Sequence, residues 1–382
     1  MNKNLVYLVS EDWYFLSHRL SLAKEAQNRG YNVHVVCKDT GMLNKIKDFG
    51  FKCYELNSSR NNTSLLNLVK EILNIRIILK RINPAIVHLV AFRPILLGLS
   101  SLIFFKNIKI ITSITGLGSI FLSKNIKVKF FKLIIILFLS INFKKKNINI
   151  VVQNIDDYKF CIKSLHCSKD KIFIIRGSGV DTEYFKYENE PSSPPIIITF
   201  VGRLIKDKGI EVLFDAFHLV SMTHKNINLL IAGSIDLSNP SAIDEIYIKR
   251  ELSKNKNITW LGEVSDIKKL WKRSHIAILP SRREGLPKSL LEAAASGKAI
   301  IATDVPGCRE IAINNVNAIT VPLDNVVKLA KAIEYLSKNH KVRKKYGLKS
   351  RELVEKDMSE EIIINKTIFI YENLYKSLII TS

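Results

Sequence analysis

The chain lacks any Cys-x-x-Cys pair, and its five cysteines (Cys37, Cys53, Cys161, Cys167 and Cys308) are odd in number and scattered over 382 residues. That excludes a disulfide framework and a zinc cluster, and it fits a reducing cytoplasm in which the thiols are ordinary buried or surface groups. The short apolar stretch Leu5–Ser10 runs straight into Glu11 and Asp12. It is too brief for the apolar core of a signal sequence, so the chain is expected to stay where it is made. Acidic side chains are scarce: 35 Asp and Glu stand against 58 Lys and Arg, a net charge of +23. Residues 1–190 hold 29 of the basic side chains but only 14 of the acidic ones, so the front half is the basic half. Such a field attracts nucleic acid, anionic lipid or phosphorylated ligands without choosing among them.

What the chain does have is an apolar fraction of 47%, enough to bury cores in two domains of roughly 150–200 residues. Leu5–Ser10 reads as a buried strand, Ser17–Arg29 as a helix closed by Gly30, and Tyr31–Cys37 as a second strand. Strand, helix, glycine, strand is the opening of a parallel α/β domain. Further short apolar runs follow at helix-length spacing: Ala85–Val90, Ile108–Ile114 and Ile148–Val152. Glu190-Pro-Ser-Ser-Pro-Pro195 breaks the series, because clustered prolines continue neither helix nor ladder. A second series then begins with Ile196–Val201 and runs through Leu229–Ala232, Ile258–Leu261, Ile276–Leu279 and Ala299–Ala302. The expected architecture is two α/β domains, residues 1–188 and 196–359, joined by a linker at 189–195, with a helix at about 360–382 packing back on the first. A cleft between two such domains is a preferred place for ligands.

Lys127–Lys146 is both apolar and basic. Phe130, Phe131, Leu133–Leu139 and Phe143 lie between Lys127, Lys129 and Lys132 on one side and Lys144–Lys146 on the other. A bilayer span needs about 20 mainly apolar residues, and this run is shorter and interrupted by Lys132, Ser140 and Asn142. Two readings stay open: a core helix with a solvated basic edge, or a helix lying on anionic lipid with its lysines at the headgroups.

Two segments carry the chemistry. Gly202-Arg203-Leu204-Ile205-Lys206-Asp207-Lys208-Gly209 sits where strand Ile196–Val201 ends. A strand end leading into a helix presents free N–H groups and the positive end of a dipole, a natural anion site. Gly202 lets the backbone turn closely, Arg203 can fork onto two phosphate oxygens, and Lys208 adds a movable point charge. The spacing is neither that of a Walker loop nor Gly-x-Gly-x-x-Gly. By itself the segment also fits a charged, solvated loop. The second segment, Pro280-Ser-Arg-Arg-Glu-Gly-Leu-Pro-Lys-Ser-Leu-Leu-Glu292, follows strand Ile276–Leu279. Pro287 suits the first turn of a helix, which leaves Glu284 and Gly285 in the loop and Glu292 more than a turn inside. At ~1.5 Å per residue the two carboxylates should lie ~10 Å apart, too far to share one proton as a dyad would. They suit gripping hydroxyls at two ends of a long ligand, though one exposed and one helix-surface glutamate would be common in any protein.

Together the two segments resemble the family 4 glycosyltransferases of GT-B fold, two Rossmann-like domains around a cleft. The family's second domain shows Gly-Arg-Leu-x-x-x-Lys-Gly and, about 80 residues on, Glu-Gly-x-x-x-x-x-x-Glu; both are complete here. Gly177-Ser-Gly-Val-Asp181 resembles the family's boundary motif, and Trp260-Leu-Gly-Glu-Val264 the segment facing the nucleotide base. The resemblance implies that Gly202, Arg203 and Lys208 hold a donor diphosphate and that Glu292 accepts bonds from ribose hydroxyls. It further implies that Glu284, with the Gly285 and Leu286 backbone, orients the donor sugar, that Val264 borders the base, and that His88 contacts the sugar. Thr115-Gly-Leu-Gly118 resembles a first-domain loop at the cleft, with Thr115 and Gly116 its candidates. Many members carry a glycine pair after the first strand; this chain has Trp13-Tyr14 there. Glu11-Asp-Trp-Tyr-Phe-Leu-Ser-His-Arg19 is similar to a branch among surface-polysaccharide transferases, with Trp13, Tyr14 and His18 placed to meet a sugar or a lipid-linked acceptor.

The implied activity is retaining transfer of a hexose or N-acetylhexosamine from a UDP-sugar to a glycan, on a polyprenyl-diphosphate-linked acceptor, by an enzyme peripheral on the inner face of the plasma membrane. No Asp-x-Asp occurs, and with Arg and Lys available for the phosphates neither a catalytic metal nor a cofactor is expected, the UDP-sugar being a co-substrate. The partners expected are therefore the donor, a lipid-linked glycan and an anionic membrane surface, with no nucleic acid. A related GT-B epimerase or phosphorylase is the enzymatic alternative, since fold alone does not fix the reaction. A nucleic-acid-binding protein is suggested by charge only, and the basic residues form no recognition helix.

Overall fold

In the computed structural model, the described residues are 2–56, 64–103, 105, 107–116, 126–192, 194–237, 239 and 241–381. The chain divides into two compact units, Met1–Ser178 with Ile363–Ser382, and Gly179–Ile362. Residues 179–195 thus belong to the second unit, where Val180 N–H donates to Met358 O, Glu360 N–H donates to Val180 O and Arg343 forks onto the Glu190 carboxylate.

In the first unit the order is β1 (Asn4–Glu11), α1 (Asp12–His18), α2 (Leu20–Asn28), β2 (Asn32–Lys38), α3 (Leu43–Lys47), β3 (Lys52–Glu55), α4 (Leu65–Ile82), β4 (Ile86–Val90), α5 (Phe92–Ser101), β5 (Lys109–Ile114), α6 (Ile126–Phe143), β6 (Ile148–Val152), α7 (Ile155–Lys163) and β7 (Ile172–Ile174). The strands form one sheet in the order β3-β2-β1-β4-β5-β6-β7, all pairs parallel. Strands buried on both faces read as unbroken apolar runs, which is why β1, β4, β5 and β6 stand out in the sequence. The edge strands β3, Lys-Cys-Tyr-Glu, and β7, three residues long, carry no such run, and the sequence reading passed over both. Leucines and isoleucines of α4 to α7 cover one face of the sheet. Residues of α1 to α3 and of the C-terminal helix cover the other.

The second unit runs β8 (Ile196–Val201), α8 (Ile210–Thr223), β9 (Ile227–Ala232), α9 (Glu245–Lys254), β10 (Ile258–Trp260), α10 (Ile267–Lys272), β11 (Ile276–Leu279), α11 (Lys288–Ala295), β12 (Ala299–Thr303), α12 (Cys308–Ile311), β13 (Ala318–Val321), α13 (Val326–Lys338) and α14 (His340–Asp357). Helix α15 (Glu360–Thr381) then enters the first unit from Ile363 onward. The second sheet is ordered β10-β9-β8-β11-β12-β13, again parallel throughout. Both sheets therefore reverse direction of growth once, between β1 and β4 and between β8 and β11. In open parallel sheets ligands gather outside the carboxyl ends of the strands at such a switch point.

His88, expected to face a sugar, lies inside the first unit. Its side chain is 1% exposed; Nδ1 lies 2.6 Å from Tyr371 Oη and Nε2 2.6 Å from Ser113 Oγ. Tyr371 Oη donates in turn to Tyr7 Oη at 3.0 Å. One hydroxyl proton cannot serve twice, so Nδ1 of His88 carries its proton and Nε2 accepts from Ser113. Burial holds the imidazole well below its ordinary pKa, with the nearby Arg19 charge adding to the effect, so it is neutral. Both nitrogens are engaged inside the first unit.

Replacing Tyr371 with Phe removes the hydroxyl that joins His88 to Tyr7 and strands two buried polar groups, at about 1–3 kcal/mol each. Equilibrium denaturation should show a lower midpoint for Tyr371→Phe; an unchanged midpoint would mean the network contributes nothing.

Candidate functional site

The site grows from the carboxyl ends of β8 and β11, the two strands flanking the switch point of the second sheet. After β8 the backbone passes through Gly202 and Arg203 into a 3-10 turn at Lys206–Lys208. Gly209 then starts α8 with φ +70°, and a Cβ there would lie 2.0 Å from Pro280 O. Only glycine permits both that dihedral and that approach. The contact brings the two loops together: Arg282 N–H donates to Asp207 O at 2.8 Å, and Arg283 Nη2 meets Asp207 Oδ2 at 2.6 Å.

On this frame Lys208 Nζ lies 2.5 Å from Glu284 Oε1, and Ser281 Oγ donates to the same oxygen at 2.6 Å. The side chains of Lys208 and Glu284 are 19% and 10% exposed, so the pair is sheltered. Its loop is held from below, where Thr303 Oγ1 donates to Ser281 O. From the side Gly307, φ +73°, leaves no room for a Cβ beside Gly285 O, 2.4 Å away. Arg203 stands on the outer edge, its Nη1 2.6 Å from Asp236 Oδ2. Both cations expected at a phosphate therefore have a carboxylate partner as well. Arg203 has five N–H donors, so a single link to Asp236 leaves its fork usable.

Glu292 lies on α11, which begins at Lys288; Pro287 is its N-cap, one position ahead of the first turn where it was expected. Burial pushes its carboxyl up to about 7, and the Lys288 ammonium pulls back more weakly. Trp271 is 1% exposed, and its Nε1 meets no described group in hydrogen-bond geometry. The β10 end contributes Trp260, whose Nε1 donates to Gly233 O at 2.8 Å. Val264 packs on Leu230, Ala232 and Leu270, while Leu286 packs on the main core. Thus Gly202, Arg203, Lys208, Glu284, Gly285 and Leu286 gather at one strand-end region, with Glu292 entering from α11. The sequence reading missed Asp236, Ser281 and Trp271. Ser281 sits inside the motif and could have been read as a partner of Glu284; Asp236 and Trp271 carry no motif at all.

In the first unit Trp13 Nε1 donates to Glu11 Oε2 at 2.7 Å, and Tyr14 stacks on His18 with ring centroids 4.4 Å apart. Asp12 is buried and accepts from the backbone N–H of Thr40 and Met42, both at 2.8 Å, which ties the loop after β2 to the start of α1. Trp13, Tyr14 and His18 are half-buried, as are Thr115 and Gly116 beyond β5. Leu117 and Gly118 of the latter loop lie outside the described residues. Among the described residues no group of three or more His, Cys, Asp or Glu could hold a metal ion.

Two parallel sheets of this order, with an Arg-Lys-Glu cluster at the second switch point, define a GT-B glycosyltransferase. Residues 180–353 match the family described as glycosyl transferases group 1, and residues 4–154 match glycosyl transferase 4-like. Glycosyltransferase families thus match in both units, and the chain is a glycosyltransferase. It is 24% identical over 386 positions to the N,N'-diacetylbacillosaminyl-diphospho-undecaprenol alpha-1,3-N-acetylgalactosaminyltransferase of Campylobacter jejuni, covering 95% of this chain and 99% of that one. It is 23% identical to the UDP-Gal:alpha-D-GlcNAc-diphosphoundecaprenol alpha-1,3-galactosyltransferase of Escherichia coli, covering 89% and 91%. The crystal structure of a glycosyltransferase from Rickettsia africae superposes with a TM-score of 0.79 at 22% identity, covering 98% of this chain and 99% of that one.

Glu284→Gln keeps the acceptor for Ser281 but leaves the Lys208 ammonium sheltered without its counter-charge. A buried pair broken this way costs about 3–5 kcal/mol. Partial exposure reduces that to on the order of 1–3 kcal/mol. Adding Lys208→Met to Glu284→Gln should recover part of the loss in denaturant titrations; strictly additive effects would show that the two groups do not interact.

Proposed function

We propose that the protein is a retaining glycosyltransferase that moves a hexose or N-acetylhexosamine from a UDP-sugar to a polyprenyl-diphosphate-linked glycan. The observation that carries this reading is the cluster of Arg203, Lys208 and Glu284 at the switch point of the second sheet, with Glu292 beside it. A nucleoside diphosphate offers the matching chemistry: anionic oxygens for Arg203 and Lys208, and ribose hydroxyls for Glu292. In transfer, the bond from the sugar's anomeric carbon to the diphosphate breaks and a bond to an acceptor hydroxyl forms, with its proton released. Negative charge gathers on the departing diphosphate, where two fixed cations stabilise it electrostatically. Because Lys208 and Ser281 hold one oxygen of Glu284, the carboxylate is suited to orienting sugar hydroxyls rather than attacking carbon. The cations supply positive charge without a metal, so we assign no metal to the reaction.

The acceptor class is supported by the two relatives named above, both described by diphospho-undecaprenol-linked substrates. Trp13, Tyr14 and His18 in the first unit offer aromatic faces suited to a sugar. Helix α6 supports work at a membrane surface. Its inward residues Ile135, Leu139 and Phe143 are core, whereas Phe130, Phe131 and Leu137 are more than half exposed and Lys144–Lys146 follow directly. Its inward face fits the core-helix reading, and its exposed face supports the lipid-surface one. No helix of the described residues is long and apolar enough to cross a membrane. We assign the enzyme to surface-polysaccharide assembly at the inner face of the plasma membrane.

Glu292→Ala and Lys208→Ala should each abolish transfer while the circular dichroism spectrum stays unchanged. Wild-type turnover in Glu292→Ala would sink the site assignment. UDP at a hundred times its dissociation constant should stabilise the wild type by about 2.7 kcal/mol, an effect weakened in both variants.

Glu292 also predicts a pH dependence. Its raised pKa means that folding favours the protonated form, so its contribution to stability is present below pH 4.5 and fades as pH rises through about 7. Binding runs the other way, because the ionised carboxylate is the better acceptor for ribose hydroxyls. Titration calorimetry should find UDP bound about tenfold more weakly at pH 6 than at pH 8, and Glu292→Gln should flatten that difference.

A further inference from the structure

The proline-rich segment after Tyr187 does more than join elements. With the start of α14 it borders a cavity of about 570 Å³ that lies wholly within the second unit. Tyr187, Asn189, His275, His340, Arg343 and Lys344 are among its lining. The cavity lies at the amino ends of the strands: Ile196 begins β8, His275 precedes β11 and Gly297 shortly precedes β12. Strand β8 spans six residues, so the Arg203 cluster beyond its other end is roughly 20 Å away. The cavity is therefore separate from the candidate site described above.

Its walls are fixed by hydrogen bonds. His275 is 2% exposed; its Nδ1 accepts from Ile197 N–H at 3.0 Å and its Nε2 donates to Pro191 O at 3.1 Å. Both nitrogens of a neutral imidazole are thus spent on holding the proline segment beside β8. Arg343, 5% exposed, forks onto Glu190 with two bonds of 2.9 Å and gives Nη1 to Leu336 O and Ser337 O. The Tyr187 ring packs on Gly297, where a Cβ would stand 2.3 Å from it. A cavity held in this way is pre-formed, as ligand pockets usually are.

Charge selects the ligand. Glu190 and Glu188, the acids of this segment, are already engaged: the first by Arg343 and by His340 Nε2 at 3.1 Å, the second by Lys272 at 3.4 Å. Cations remain. Lys344 lines the cavity and is exposed. Lys298 directly follows Gly297 and is 1% exposed, and its Nζ finds only Glu188 O, at 3.3 Å, among the described residues. An ammonium has three donors, so this buried one is under-used. Helix α14 adds the positive end of its 18 residues without a side-chain cap, and Asn339 Nδ2 donates to Tyr335 O at 2.7 Å. Buried cations call for an anion, and a helix N-terminus favours phosphate. Beside these groups Tyr187, Asn189 and Ser192 offer hydroxyl and amide partners, as a sugar requires.

We propose that this cavity is a second ligand site and takes a sugar phosphate, with the phosphate at Lys344 and the start of α14 and the sugar hydroxyls at Tyr187 and Asn189. The site stands apart from the donor reading and needs none of its residues. A ligand seated there ties the segment ahead of β8 to α14.

Titration calorimetry of the full chain with glucose 1-phosphate, inorganic phosphate and glucose tests this. Wild type and Lys208→Ala should bind glucose 1-phosphate equally, and Lys344→Gln about tenfold more weakly. Lys344 is exposed, so the variant should keep the wild-type thermal midpoint without ligand. Glucose and inorganic phosphate should each bind more weakly than the ester that joins them. Full binding by Lys344→Gln alongside loss in Lys208→Ala places the ligand at the β8 cluster and overturns the proposal while leaving the donor reading intact. Equal affinity for inorganic phosphate and glucose 1-phosphate overturns the sugar-phosphate assignment, and absence of binding by the wild type at millimolar ligand overturns the site itself.

Discussion

The candidate site depends on two backbones touching. The loops after β8 and β11 can share side-chain contacts only because Gly209 lets the first come within a Cβ's width of Pro280 O. Once that approach is fixed, Lys208 reaches Glu284, Arg283 reaches Asp207, and Ser281 closes on the same glutamate from within its own loop. Gly307 repeats the device one strand further on, against the carbonyl of Gly285. Glycines here act as spacers that bring three strand ends, those of β8, β11 and β12, into one region.

This frame also explains which parts of the molecule were legible. Parallel strands covered on both faces announce themselves as apolar runs, so every strand of both sheet interiors could be read directly. Edge strands have one neighbour and need less apolar character. Accordingly β3, β7 and β13 went unread, with sequences as short as Ile-Phe-Ile. The helix expected over Ser17–Arg29 is α2, Leu20–Asn28, whereas α1 ahead of it went unread; Arg19, with φ of -132° and ψ of -10°, separates the two. Motif spacing found Arg203, Lys208, Glu284 and Glu292 because their positions relative to strand ends are fixed by local geometry. It could not find Asp236, because its partner lies 33 residues away and nothing local marks it. His88 shows the opposite limit. A histidine at a strand carries no signal of its partners, and Tyr371, which engages it, lies 283 residues further along.

Positive charge is used in two distinct ways. In the second unit the site cations stand beside carboxylates, Arg203 with Asp236 and Lys208 with Glu284. Those partners fix the cations' positions, so the diphosphate proposed for them would meet donors already oriented and forfeit less side-chain entropy on binding. On the outward faces of α4 and α6 the cations instead border apolar residues, and no exposed carboxylate lies within either helix.

Those two uses account for the imbalance with which the sequence begins. The basic excess is concentrated in residues 1–190, yet the ordered Arg-Lys-Glu cluster is in the second unit. A phosphate site needs few charges, since a single fork and one ammonium in a sheltered position act over a few ångströms. A surface contact needs many, because each lysine in water is screened within about 10 Å and adds only on the order of 1 kcal/mol. The excess on the first unit accords with the membrane-surface role proposed for α6. The modest charge of the second follows from cations placed one by one against their carboxylates.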